Sequence, residues 1–473
     1  MATFAKEETL KAVWGYQSFR YPQAEIIDCL LAKKDALVVM PTGGGKSLCF
    51  QLPALLQSGL TIVVSPLVAL MENQVSQLKQ KQVAVGLLHS QQTRPARTSV
   101  LSQLKTLKLL YTAPETLLSQ AIWQELLKPE LVISSLVVDE AHCIWQWGTT
   151  FRPSYTRLGT VRKTLQKAQA DPITVAAFTA TADTITQQAI SKSLSLNNPK
   201  KFLLSPYRAN HQLKVKTVWT NQGREKATLK FIQQQKNQSG LIYVRSRQAS
   251  QNLAKWLQSK KLKTVAYHAG VTTTKRRNIE QRWLTGELPI VVCTSAFGLG
   301  IDKPNCRWVL HYHLPELLAE YLQEIGRAGR DGQGAITLAL RSEPTGWLDN
   351  SDQQRSQFFT QQIQQKFHQA QKLFAQLPPK GDLTQLSREV PDCELSLAIL
   401  QRFNMVKWQD PFNYRKLIKN KTKELRKLQI PKTQLIKGFL ASKKCRWAYV
   451  LAAFGVAPPK PDFQCGQCDR CCQ

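Results

Sequence analysis

Residues 36–50, Ala-Leu-Val-Val-Met-Pro-Thr-Gly-Gly-Gly-Lys-Ser-Leu-Cys-Phe, read as a short apolar strand, a glycine-rich turn and the start of a helix. Few folds accept that succession. A β-branched strand that passes through glycines straight into a helix belongs to an open parallel α/β sheet, where ligands bind beyond the carboxyl ends of the strands. Gly43, Gly44 and Gly45 let backbone N–H groups converge on phosphate oxygens, and the helix adds its positive end. Thr42 lies in the same loop, Lys46 can reach the β and γ phosphates, and the Ser47 hydroxyl can ligate Mg²⁺. ATP with Mg²⁺ is the expected cofactor. The strict pattern wants glycine at position 40, where this chain has Met40, so the strand, loop and helix around it carry the assignment.

Val-Ile-Ser-Ser-Leu-Val-Val, residues 132–138, predicts a second buried strand, ending at Asp139. Asp139 then falls where it can partner Mg²⁺, and Glu140 where it can orient or deprotonate the attacking water. Trp145, Trp147, Phe151 and Tyr155 follow at once, among Gly148, Thr149, Thr150 and Arg152, a mixture too polar for a core strand. Aromatics in such a stretch either offer faces on which bases stack or pin the loop to a core.

A second alternation of strands and helical stretches begins at Gly-Leu-Ile-Tyr-Val (240–244) and continues through Thr-Val-Ala-Tyr (264–267) and Pro-Ile-Val-Val-Cys-Thr (289–294). It predicts a second doubly wound parallel-sheet domain. That domain ends in Gln323-Glu-Ile-Gly-Arg-Ala-Gly-Arg330, where Arg327 and Arg330 project from one side of a helix or turn. Arginines presented to a phosphate loop act as fingers on the transferring phosphoryl group, worth roughly 10³ to 10⁵ in rate.

The partner follows from charge. Against 32 Asp and Glu stand 64 Lys and Arg, a net charge of +32, which favours a polyanion through counterion release. No basic amphipathic helix, lipidation signal or long apolar run supports a membrane, so DNA or RNA is expected. From Pro411 to Val450 the chain has 12 basic residues and one acid, Glu424.

The order of motifs closely resembles a superfamily 2 helicase, and the stretch after Asp139 resembles the aromatic-rich loop of the RecQ family of DNA helicases. The resemblance covers about residues 10–340 and resumes at 445–472. It implies that Tyr16 and Arg20 sandwich adenine while Gln23 reads its edge, and that Met40 to Ser47 is the family's motif I, non-glycine start included. Ser65 to Leu70 resembles motif Ia, with Pro66 on the DNA side, and Phe178 to Asp183 resembles motif III, where Thr179 and Thr181 would couple the γ-phosphate to domain movement. Tyr243 to Arg247 and His268 to Gly270 resemble motif IV and its neighbour, and Thr294 to Asp302 resembles motif V. This assigns Gln323, Arg327 and Arg330 to catalysis with Lys46, Asp139 and Glu140; Gly300 and Asp302 to nucleotide; and His268, Thr294, Trp145, Trp147, Phe151 and Arg152 to DNA. Trp145, Arg245 and Glu316 depart from the usual pattern, which expects a small polar, an Asn and a basic residue there.

At the tail, Cys445, Cys465, Cys468 and Cys471 have the spacing of four thiolate ligands to structural Zn²⁺, with Cys472 either a substitute ligand or a free thiol. Cys445 opens a helical stretch to Gly455. Residues 353–376 read as an amphipathic helix or linker, and 382–409 as helix, turn, helix, strand, either a winged helix or a simple helical packing domain.

The expected architecture is two RecA-like α/β domains, 1–205 and 206–342, then a mostly helical basic region, 343–444, and a four-cysteine zinc module, 445–473. The expected activity is an ATP-dependent DNA helicase moving 3′ to 5′ in repair or recombination. Its rivals are a superfamily 2 RNA helicase and an ATP-gated DNA clamp. A cytoplasmic monomer, on the nucleoid if bacterial, is expected, with single-strand-binding or recombination proteins as further partners.

Overall fold

The computed structural model describes residues 2–145, 152–169, 171–236, 238–297, 301, 303–417 and 433–472. Trp147, Phe151, Gly300 and Asp302 lie outside them. The chain forms two compact units, Met1–Leu204 with Ile363–Gln429, and Ser205–Gln362 with Ile430–Gln473.

The first unit is built on strands β1 (Ala36–Val39), β2 (Leu60–Val64), β3 (Val85–Leu88), β4 (Leu109–Thr112), β5 (Ile133–Val138), β6 (Thr174–Thr179) and β7 (Lys200–Leu203). They form one seven-stranded sheet in the order β3-β4-β2-β5-β6-β1-β7, and every pairing is parallel. Helices cover both faces, so β1, β2 and β6 are buried at every residue and read as continuous apolar runs instead of alternating ones. Leu37 packs into the core on one face and Val38 into the core on the other. The helix Lys46–Leu56 follows β1 directly. β1, β5 and β6 therefore deliver their carboxyl ends to one rim.

The second unit repeats the architecture with β8 (His211–Val218), β9 (Gly240–Tyr243), β10 (Thr264–Tyr267), β11 (Ile290–Cys293), β12 (Trp308–His311) and β13 (Ala335–Ser342). Their order is β10-β11-β9-β12-β13-β8, again all parallel. Gly240 opens β9 because Trp308 of the neighbouring strand occupies the space a Cβ would need. Residues 433–472 belong to this unit. The helix Arg446–Ala453 puts Trp447 and Val450 into the same core as Leu213 and Tyr321.

After β13 the chain runs as a 26-residue helix, Ser351–Gln376, then β14 (Lys380–Asp382), the helices Leu383–Glu389 and Cys393–Arg402, β15 (Val406–Trp408) and β16 (Asn413–Lys416). The three strands form an antiparallel sheet, β14-β16-β15. The sequence shows the helices and the strand at Val406, but β14 and β16 are too short to carry an alternating pattern. Phe374 of the long helix is buried while Phe358 is 63% exposed, so its apolar residues do not form one buried stripe. No described helix is long and apolar enough to cross a membrane.

Candidate nucleotide and nucleic-acid site

The phosphate loop is shaped mainly by backbone. Gly43 and Gly45 adopt φ of 84° and 81°, the left-handed region that other residues enter only under strain. A Cβ at Gly45 would meet the Gln23 amide, which donates to the Gly44 carbonyl at 3.2 Å. Gln23 Oε1 in turn accepts from the Arg20 N–H at 2.9 Å, so Arg20 and Gln23, both expected at adenine, are tied to the loop, while Tyr16 is 54% exposed. Met40 explains its own departure from glycine. Its side chain is fully buried in the core, its N–H donates to the Thr179 carbonyl, and its carbonyl accepts from Lys46 Nζ at 3.1 Å. Gln74, which the sequence does not single out, donates to Ser47 Oγ at 3.0 Å.

Asp139 continues β5 and its N–H donates to the Val64 carbonyl of β2. Burial, and after it the neighbouring Glu140, push Asp139 up to about 7 against the pull of Lys46. Such a carboxyl suits a divalent cation, whose charge would restore the ionised form. Glu140 sits at φ 47°, a strained conformation that turns its carboxylate toward His142, whose Nδ1 lies 3.1 Å from Glu140 Oε2 and 2.9 Å from Thr179 Oγ1. One imidazole thus links Glu140 to the end of β6.

Residues 141–145 turn away from this acid pair, and Arg152 to Thr160 return to it. Trp145 N–H donates to the His142 carbonyl at 3.0 Å, and Arg152 Nη2 donates to the Pro66 carbonyl at 2.6 Å. Arg152 Nη1 also reaches Glu115 at 3.3 Å. Pro66 and Arg152, both expected on the DNA side, are therefore brought together. Of the two readings of the aromatics, Tyr155 follows the second: it is fully buried, and its hydroxyl donates to the Asp139 carbonyl at 3.0 Å, so it is a strut and offers no face to a base.

In the second unit, Gln323 and Glu324 lie on the helix Leu318–Ile325, and the turn beyond it carries Arg327 and Arg330. Arg327 is buried; Arg330 Nη1 donates to the Ile301 carbonyl at 3.1 Å, joining motif VI to motif V. Arg245, the departure in motif IV, pairs with Glu324 at 2.6 Å, and His311 Nε2 lies 2.8 Å from the same carboxylate oxygen. Burial would raise Glu324, yet Arg245 and His311 outweigh it and hold it below the ordinary carboxylate range. Glu316 accepts from Ser356 at 3.4 Å and so anchors the long helix. Thr294 N–H donates to the Tyr267 carbonyl at the end of β10, and His268 is buried against Gln251 at 3.0 Å.

Cys445, Cys465, Cys468 and Cys471 place their sulfurs within 4.8 Å of one another. The separations of 3.5 Å for Cys468 to Cys471, 3.9 Å for Cys465 to Cys471 and 4.0 Å for Cys445 to Cys468 match the edge of about 3.8 Å set by four thiolates around tetrahedral Zn²⁺. N–H groups of Arg446 and Cys465 donate to Cys468 and Cys445 at 3.4 Å. The cluster fits zinc with no open position. Cys472 instead turns to the Gly466 carbonyl at 3.1 Å.

Three family models match the chain: DEAD/DEAH box helicase at residues 20–190, helicase conserved C-terminal domain at 223–332, and RecQ zinc-binding at 408–472. An ATP-dependent DNA helicase RecQ from Synechocystis sp. is 50% identical over 98% of both chains. The protein of that name from Haemophilus influenzae is 41% identical over 75% of this chain and 56% of its own. Among solved structures, the DNA-bound helicase MrfA aligns with a TM-score of 0.61 at 16% identity over 90% of this chain and 64% of that one, a likeness of fold.

Proposed function

The chain belongs to the RecQ family of ATP-dependent DNA helicases, and we propose that it moves 3′ to 5′ along single-stranded DNA and unwinds duplexes during repair or recombination. The observation that carries this reading is that the aromatic-rich stretch is tied both to the acid pair and to the motif Ia loop: Tyr155 bonds the Asp139 carbonyl, and Arg152 bonds the Pro66 carbonyl. Nucleic acid that shifts those stems would be felt at Asp139 and Glu140. Lys46 and the loop N–H groups hold the phosphates, Glu140 orients water, and Arg327 and Arg330 stabilise the transferring phosphoryl group. Ser47 and Asp139 would hold Mg²⁺, which neutralises phosphate charge when bound. Trp147 and Phe151 are proposed to stack on bases, with His268 and Thr294 as backbone contacts and Gly300 and Asp302 on the nucleotide side. We read 343–444 as a linker with a winged-helix-like basic region, and the active form as a monomer in the cytoplasm.

ATPase rates with single-stranded DNA, single-stranded RNA and no nucleic acid test the reading, joined to strand displacement from duplexes with 3′ or 5′ tails. DNA stimulation with displacement from 3′ tails is expected. RNA stimulation equal to DNA would overturn it in favour of an RNA helicase, and DNA stimulation without displacement would favour an ATP-gated clamp.

A further inference from the structure

The two stems of the aromatic-rich stretch meet on one helix that lies outside every helicase motif, Cys393–Arg402 of the same unit. On the entry side, the Arg402 guanidinium lies 3.5 Å from the centroid of the Trp145 ring, and its Nη1 donates to the Trp145 carbonyl at 3.2 Å. On the exit side, Glu394 accepts from Ser154 at 3.2 Å and pairs with the buried Arg157 at 2.9 Å, while Gln401 donates to the Thr156 carbonyl at 3.2 Å. Glu394 and Arg402 are separated by roughly 12 Å of helix, a fixed spacer between the stems. Arg157 also donates to the Pro411 carbonyl at 3.1 Å, and Trp123 packs edge-on against Phe412, so the helix cannot shift without the turn before β16.

Packing alone does not call for these groups. Burial pushes the Arg402 guanidinium down to about 9, a desolvation cost that an apolar side chain of similar volume would avoid. What the guanidinium adds is geometric: a plane laid on an indole and a donor aimed at that residue's own carbonyl. Trp145 is thereby fixed in orientation as well as in place. Each stem then reaches the hydrolytic acids within a few residues, through the His142 carbonyl on one side and the Tyr155 hydroxyl on the other.

We propose that the helix Cys393–Arg402 is a splint for the aromatic-rich stretch, with Arg402 and Glu394 as positioning residues that fix the separation of its stems and so transmit nucleic-acid binding to Asp139 and Glu140. This rests on the reading of that stretch as the nucleic-acid sensor. The test uses the full chain and measures basal ATPase, ATPase saturated with an oligo-dT strand, and the oligo-dT concentration giving half stimulation. Arg402→Met, which keeps the stem but removes the plane and donors, lowers the stimulated kcat about fivefold while the basal rate and half-stimulating concentration stay within about twofold. Arg402→Lys, which keeps a cation over the ring, recovers most of that loss. If Arg402→Met unfolds, Glu394→Gln carries the same test with a loss of about twofold in the stimulated rate. An unchanged ratio of stimulated to basal rate overturns the splint. So does a parallel fall of both rates that Arg402→Lys does not rescue, since that marks a purely structural contact. Trp147→Ala separates the two readings. Stimulation lost there but kept in Arg402→Met removes the splint alone, whereas stimulation kept in Trp147→Ala removes the sensor reading with it.

Discussion

At the first sheet Lys46 is placed by backbone, through two left-handed glycines and the Met40 carbonyl that holds it; at the second the turn that carries the arginines is held by other side chains. Arg327 and Arg330 sit in a turn fixed by the Arg245, Glu324 and His311 network below it and by Asn210 and His211, which bond the Gly329 and Ala328 carbonyls at 2.8 and 2.9 Å. The difference matters for tolerance. A backbone cradle survives most changes around it, because peptide groups do not mutate. A buried side-chain network loses its geometry with any one member, since the remaining charge is stranded without its partner.

The sharpest break of this contrast comes at Lys46, beside the first sheet. Lys46→Ala is expected to lower phosphate release by at least about 10³-fold with or without DNA, and turnover within tenfold of the parent would refute the phosphate-loop assignment. Next is Glu324→Gln, which leaves Arg245 and His311 without their shared charge. Turnover should fall about 10- to 100-fold with little change in the KM for ATP, and thermal unfolding should register a loss of about 3 kcal/mol. A stable, active variant would mean that the arginines are set by backbone after all, as on the first sheet. The smallest effect belongs to Gln74→Ala. One hydrogen bond to Ser47 is worth about 1 kcal/mol, so kcat/KM for Mg²⁺·ATP should drop by about fivefold, and a larger loss would show that the cradle is less backbone-made than drawn here.

The same contrast explains what the sequence discloses. Glycines, β-branched runs and acids at strand ends are local signals, and they reveal β1, β5, the phosphate loop and Asp139 without any knowledge of neighbours. Gln74 and Ser47 lie 27 positions apart, Arg245 and Glu324 79, and Trp145 and Arg402 257. No local pattern marks such pairs. Arg245 stands out in the sequence only as a departure from a motif, and its meaning appears with Glu324 beside it. Met40 behaves the same way, a mismatch by pattern and a core residue by packing. Tyr155 shows the converse case, because a ring among loop aromatics is open to stacking or to pinning until its hydroxyl is seen on Asp139. The cysteine cluster is legible from spacing because Cys465, Cys468 and Cys471 belong to one turn.

One contact of the zinc module bears on how the protein is made. β8 is the edge strand of the second sheet, and two of its outward carbonyls, on His211 and Leu213, accept from Trp447 Nε1 at 3.1 Å and from the Asp469 N–H at 3.0 Å. Those partners emerge from the ribosome more than 200 residues after the strand they cover. Throughout that interval the nascent chain carries an uncapped edge, the kind of template on which other chains pair. Closing the four-cysteine cluster therefore also covers this strand edge, and a chain in which the cluster cannot close is expected to leave it open to pairing with other chains.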